Sequence, residues 1–166
     1  ARRALTTALT LSPTHVEAAV NLSHLDLLTG DFVKGWRGYE ARRQRASWHV
    51  ASPACPEWQG EDISGRTVLV VCEQGYGDVI QFARHALDLL DRGASVDLYA
   101  DACIADLLTT VPGVGKVVSD VSGEDWDYWV PAMSLPFRLG LDGCCLSYGT
   151  PDCCYADAGD RLLLSG

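Results

Sequence analysis

Asp78 ends the string Glu73-Gln74-Gly75-Tyr76-Gly77-Asp78, and a carboxylate in that setting has two chemical uses. It can cap a helix by accepting backbone N–H groups at the helix start, or it can take a proton from a hydroxyl within hydrogen-bond reach. Gly75 and Gly77 supply a backbone that turns tightly and lets a ligand come close, and free N–H groups at a helix start favour an anion or a developing negative charge. Farther along, Gln81, Arg84 and His85 either face the same cleft or are shown to water on an amphipathic helix, and their spacing leaves both readings open. The string lacks the third glycine of a dinucleotide fingerprint, and no Lys follows as it does in a Walker loop. A phosphate placed on it would face Asp78 with no Lys or Arg in the loop to offset the repulsion. Any tight strand-to-helix turn ending on an acidic cap shares this pattern, so the loop alone leaves cap and base unresolved.

For the loop to do chemistry it must follow a strand, and residues 67–72 form a continuous apolar, β-favouring run suited to a strand buried on both faces of a parallel sheet. Residues 79–92 predict an amphipathic helix closed by Gly93, 95–100 a second strand, and 102–110 a second helix. After the Pro112-Gly113 break, 115–119 predicts a third strand, with a fourth at 128–131. Strands alternating with helices imply right-handed crossovers and a parallel sheet, an α/β fold of Rossmann-like type. In such sheets ligands bind beyond the carboxyl ends of the strands, where Gly75 to Asp78 would lie.

Upstream, residues 16–45 fit one period of a 34-residue helix-turn-helix repeat, with Asn21-Leu22, Gly30-Asp31-Phe32 and Tyr39 at the helix contact, turn and knob positions. One period earlier, Ala1, Leu5, Ala8, Leu9, Leu11 and Pro13 fall on the second helix and closing proline of a preceding repeat. Gly30 suits a left-handed helix end and Asp31 a helix cap. Phe32, Gly35, Trp36 and Tyr39 form one helix face that must pack on the helix before it, as they would in an unrelated amphipathic hairpin. Residues 46–65 read as an ordered linker in which Trp48 and Trp58 pin the helical array onto the following domain. The expected division is therefore 1–45 helical repeat, 46–65 linker and 66–166 α/β half-domain.

A net charge of −9 and a pI near 4.7 argue against a nucleic-acid partner, since that affinity comes from clustered Lys and Arg. The one basic run, 37–45, is a solvated helix face or a docking surface. No stretch reaches the roughly 18 apolar residues that span a bilayer, and no leader pattern opens the chain, which predicts a cytoplasmic protein. The first residues have mid-helix character without an initiator Met, as if something upstream had been removed. Seven cysteines without a secretory signal, two pairs of them the doublets Cys144-Cys145 and Cys153-Cys154, predict neither a disulfide framework nor a metal knuckle, because adjacent thiolates lack the knuckle spacing.

Several strings occur together and in order: Gly30-Asp31-Phe32, Gly35-Trp36, Tyr39-Glu40-Ala41-Arg42, Pro56-Glu57-Trp58-Gln59-Gly60, Gly65-Arg66-Thr67, the block from Glu73 to Arg84, Val111-Pro112-Gly113-Val114 and Met133-Ser134-Leu135-Pro136. In this the chain resembles bacterial tetratricopeptide proteins whose C-terminal region is a heptosyltransferase-like glycosyltransferase of GT-B type, and more distantly the O-linked N-acetylglucosamine transferases. The resemblance implies that Asp78 is the base toward an acceptor hydroxyl, with Gln74, Gly75, Tyr76, Gly77, Gln81, Arg84, Met133 and Ser134 around the substrate. It implies an inverting transfer from a nucleotide sugar, with no metal and no cofactor, the donor phosphates being held by a second domain. It also implies a sugar or protein acceptor, and helical repeats that engage a protein partner. Beyond Leu141 the expected Ile-Pro and Pro-Tyr-Leu pattern is replaced by the cysteine doublets, and the nucleotide-binding half is absent. The chain is thus expected to be a truncated or degenerate copy, inactive by itself; the alternative is an interaction module whose α/β part is a passive platform.

Overall fold

The computed structural model describes residues 1–122 and 125–141, within which two compact units separate, one built on Ala1–Arg42 and one on Arg43–Leu139. The cysteine doublets and everything beyond Leu141 lie outside the described residues. Among the described residues, no helix is long and apolar enough to cross a membrane.

The first unit holds three helices, α1 (Arg2–Leu11), α2 (Val16–Leu28) and α3 (Phe32–Tyr39), with α1 against α2 and α2 against α3. Gly30 breaks α2 from α3 at a φ of 83°, and the Asp31 side chain caps α3 by accepting from the Lys34 N–H at 3.3 Å. The His15 ring caps α2 in the same way, accepting from Ala18. Arg2 pairs with the buried carboxylate of Asp26 on α2, tying α1 down. Tyr39 is buried, its ring tilted against that of His24 on α2 and edge-on to Trp36.

Gly35 sets how closely α3 approaches α2, since a Cβ there would lie 2.6 Å from Leu27 Cδ2 and 2.9 Å from the Leu27 backbone nitrogen. A Gly→Ala change inside a helix normally stabilises by up to about 1 kcal/mol. Here the clash with backbone outweighs that gain, so Gly35→Ala should destabilise the helical unit by about 1–3 kcal/mol. Thermal unfolding followed by far-ultraviolet circular dichroism measures it; an unchanged or raised midpoint refutes the close contact.

In the second unit a four-stranded, all-parallel sheet runs in the order β3-β2-β1-β4, consistent with a Rossmann-like α/β fold. Its strands are β1 (Thr67–Val71), β2 (Ser95–Tyr99), β3 (Val114–Val118) and β4 (Tyr128–Pro131). Central β1 is buried over Val68–Val71, as an uninterrupted apolar run between two neighbours should be. Leu69 and Val71 share one face and pack with Trp126 and Trp129. At the amino edge of the sheet, the Asp127 carboxylate accepts from the Thr67 backbone N–H at 2.8 Å and its hydroxyl at 3.0 Å, locking β4 to β1. These Thr67 bonds, aided by Arg66, lower the Asp127 pKa.

Asp97 plays a matching part between β2 and β3. Its carboxylate accepts from the Lys116 N–H at 2.8 Å and the Trp126 indole at 2.9 Å, where the register slips by one residue. Gly115 is needed there because a Cβ would stand 2.7 Å from that carboxylate.

Residues 46–65 belong to this sheet unit. The Trp58 N–H donates to the Trp129 carbonyl at 2.8 Å and the Trp129 N–H to Pro56 at 3.1 Å, so this segment covers the open edge of β4. Trp58 is fully buried with its indole on the Glu61 carbonyl. Both Trp48 and Trp58 have hydrogen-bond partners inside the sheet unit.

The single helix expected over 79–92 is in fact two, α4 (Tyr76–Ala83) and α5 (Ala86–Leu90). A tight turn divides them, with the His85 N–H on the Phe82 carbonyl at 3.0 Å. The turn carries the His85 ring inward, where it is 6% exposed and its Nδ1 lies 2.7 Å from Asp88 Oδ2. His85 therefore faces neither cleft nor water. α6 (Ala102–Leu108) follows β2, and α7 (Leu135–Leu139) closes the unit after a 3-10 turn at Ala132–Ser134.

Candidate functional site

Chain order runs outward from β1 through β2 to β3 and then returns to β4 on the other side of β1. The topological switch therefore lies between β1 and β4, and in open parallel sheets the crevice for a ligand opens at the carboxyl ends of those two strands. Glu73 to Asp78 follow β1 there, and Ala132–Ser134 follow β4.

Cys72 continues the β1 ladder, its N–H on the Tyr99 carbonyl at 2.9 Å. Burial, and secondarily the Glu73 charge, push its thiol up to about 12, so it stays protonated and inert. Glu73 then turns inward and is 7% exposed. One of its oxygens accepts from the Trp48 indole N–H at 3.0 Å, the other from the Met133 backbone N–H at 3.3 Å.

The sharp turn after Glu73 is made by Gln74, which adopts a φ of 69°, and not by the glycines. Gly75 has an ordinary φ of −81° and Gly77 is also outside the left-handed region, which corrects the expectation that these two provide the bend. Neither is sterically forced: a Cβ on Gly75 would meet only Asp78 at 3.7 Å, and one on Gly77 would meet nothing within 4 Å. What the glycines supply is bare backbone at the start of α4.

Gly77→Ala separates the two kinds of requirement. It should stabilise the fold by about 0.5–1 kcal/mol, because a helical glycine with open space loses more entropy than alanine. A ligand that seats against this backbone should bind more weakly to the same variant. Stability measured by urea unfolding that falls instead of rising would contradict the geometry.

Asp78 is the third residue of α4, half-buried, with Oδ2 accepting from the Gly75 N–H at 3.3 Å. This is the acidic half of a capping box; Gly75 has no side chain to return the bond, so the first N–H groups of α4 carry no side-chain cap. Cap and base are compatible here, since the carboxylate anchors itself with one oxygen and has a second to offer.

The other sequence-derived site residues divide by exposure. Tyr76 is 53% exposed, and its hydroxyl is held protonated first by the Asp101 charge and then by Cys103, with which it also hydrogen-bonds. Gln74, Gly75, Gly77 and Gln81 are exposed and Arg84 is half-buried. Met133 and Ser134, by contrast, are 7% and 0% exposed. Their 3-10 turn packs against α4, so they belong to the core behind the loop and are not an open contact surface.

The carboxyl edge is acidic. Besides Glu73 and Asp78, Asp101 follows β2 and caps α6, and Asp120 follows β3. The Cys103 backbone N–H lowers the Asp101 pKa, and the Ser122 hydroxyl and N–H lower that of Asp120, so both are held charged. Such an edge suits a neutral, hydroxyl-bearing ligand better than a phosphate. Among the described residues no group of three His, Cys, Asp or Glu is placed to hold a metal ion.

Glu73 is the functional candidate that motif reasoning passed over. The available signal was a charged residue set directly after the apolar run Val68–Cys72, where the chain has only just left the core.

No family model matches the chain, and no solved structure does. Protein FlbA of Caulobacter vibrioides is 31% identical over 67 residues, which is 39% of this chain and 11% of FlbA. The chain thus spans about a tenth of the length of the curated relative it matches.

Proposed function

We propose that this chain is the acceptor-side part of a glycosyltransferase that moves a sugar from a nucleotide sugar to a hydroxyl. It would be the Rossmann-like first half of a GT-B enzyme of heptosyltransferase-like type, carried behind a tetratricopeptide hairpin. The observation that carries the reading is the placement of Asp78: a half-buried carboxylate on the first turn of α4, beside the β1/β4 switch point. An acceptor hydroxyl at its second oxygen would lose its proton to the carboxylate as the hydroxyl oxygen attacks the anomeric carbon, and the bond from that carbon to the nucleotide phosphate would break. Configuration inverts because attack and departure are on opposite faces. The acidic edge supports the same division of labour, with the donor phosphates held by a second domain beyond this chain.

The test is transfer of a labelled sugar from a nucleotide sugar by the longer protein that carries this chain, compared with its Asp78→Asn variant. Loss of transfer in the variant supports the reading; wild-type turnover removes Asp78 from the mechanism.

A second reading, a protein-interaction module, has its own observation. An open apolar groove of about 480 Å³ runs between α1 and α2, lined by Leu5, His24, Leu25 and Leu28 among others. Capture of a protein partner together with blank transfer assays favours it.

A further inference from the structure

We infer that Glu73 is a positioning residue for the Asp78 site, one that fixes the catalytic loop by joining three segments at the switch point; this rests on the reading above. A carboxylate taken out of water is costly unless its oxygens are hydrogen-bonded, so an apolar residue at this buried place would serve the core alone at lower cost. Glu73 instead spends both oxygens on donors far apart in sequence. Oε2 takes the Trp48 indole N–H, from the segment ahead of the sheet, and Oε1 takes the Met133 N–H, from the 3-10 turn after β4. That 3-10 turn packs on α4, the helix whose first turn carries Asp78. On its other side Glu73 is covalently next to Gln74, the left-handed residue that aims the loop. The loop bearing Gly75 and Asp78 is thus held at both ends by one side chain: through the backbone at Gln74 and through Met133 at α4. Neither contact reaches a substrate directly, which is why the role is positioning.

The test uses the isotope-labelled full chain, with amide hydrogen exchange read residue by residue. Gly75, whose N–H donates to the Asp78 carboxylate, is the reporter. In Glu73→Gln, which keeps one accepting oxygen and the side-chain shape, Gly75 exchange should rise about fivefold or more beyond the rise seen in β2 and β3 amides. Trp48→Phe, which removes one donor and leaves the Met133 bond, should raise it less than about twofold on the same scale. If Glu73→Ala fails to fold, Glu73→Gln still decides. A uniform rise across the sheet, with Gly75 no different from β2 and β3, shows a merely structural carboxylate and overturns the inference. Selective Gly75 exchange alongside full activity of Asp78→Asn in the longer protein would leave the loop-holding role standing and remove Asp78 as the base; selective Gly75 exchange alongside blank transfer assays of the wild type would remove the glycosyltransferase reading.

Discussion

On the proposed reading, Asp78→Asn in a protein that carries this chain should lower kcat by about 10²-fold or more, the usual worth of a positioned general base. The size of the effect follows from what the substitution keeps. Asparagine has nearly the same shape, and its amide oxygen can still accept from the Gly75 N–H, so the cap on α4 and the bend at Gln74 should remain. The removed charge interacts with the start of a helix, an effect of only about 0.3–1 kcal/mol on stability. What asparagine cannot do is take a proton. The loss should therefore fall on kcat, with KM for the acceptor changing little and the unfolding midpoint nearly still. Asp78→Ala makes a useful contrast, because it removes cap and base together and should add about 1 kcal/mol of destabilisation to the same catalytic loss. A variant that unfolds more easily yet turns over normally assigns Asp78 to capping alone.

How much of this was readable in the chain depends on how far apart the interacting residues lie. The strand β1 was legible because the unbroken apolar run Val68–Val71 suits burial on both faces, and β4 because Tyr128–Pro131 is a short apolar run with the same character. Gly30 and Asp31 were legible for a local reason, since a left-handed φ and a cap three residues upstream of its donor are both decided within one turn. The break at Arg84-His85 was not legible. A 3.6-residue pattern runs through it undisturbed, and what interrupts the helix is the burial of the His85 ring beside Phe82 with its nitrogen on Asp88. The loop shows the same limit. Glycine was the natural residue on which to place the bend, yet the backbone puts it on Gln74, one position from the buried Glu73. Glu73 owes its place to partners 25 and 60 residues away, which no local pattern encodes. The tetratricopeptide phase of the helical unit and the glycosyltransferase chemistry rest on motif resemblance alone, while the close packing of α3 on α2 at Gly35 is shared with any tight helical hairpin.

Glu57→Gln should cost the sheet unit about 2 kcal/mol at pH 7, between the 0–1 kcal/mol of exposed ion pairs and the 3–5 kcal/mol of breaking a buried one. Glu57 joins the two ends of its unit. Its carboxylate holds Arg43 in a two-point contact, at 2.8 and 2.6 Å, and Arg138 on α7 at 3.3 Å. Removing the charge leaves both guanidiniums facing a neutral amide, and Arg138 is poorly placed to compensate, with 13% of its side chain exposed and its Nε already without a partner among the described residues. Burial by itself would raise the Glu57 pKa, but the Arg43 bonds and charge, followed by those of Arg138, outweigh it and bring the net value below the ordinary 4.5. A carboxylate whose folded pKa is depressed binds its proton more readily when unfolded. The stability it contributes is therefore present in full above about pH 4.5 and is lost as pH falls through the lower folded value. The gap between wild type and Glu57→Gln should accordingly be widest at neutral pH and should close on acidification, because protonated Glu57 resembles the glutamine. Four of the five tryptophans, Trp48, Trp58, Trp126 and Trp129, lie in this unit, so urea unfolding by tryptophan fluorescence at pH 7 and at about pH 3 reports on it directly. Equal midpoints at pH 7, or a gap that stays constant as the carboxylate is protonated, would show that the Arg43–Glu57–Arg138 cluster does not clamp the two ends of the unit.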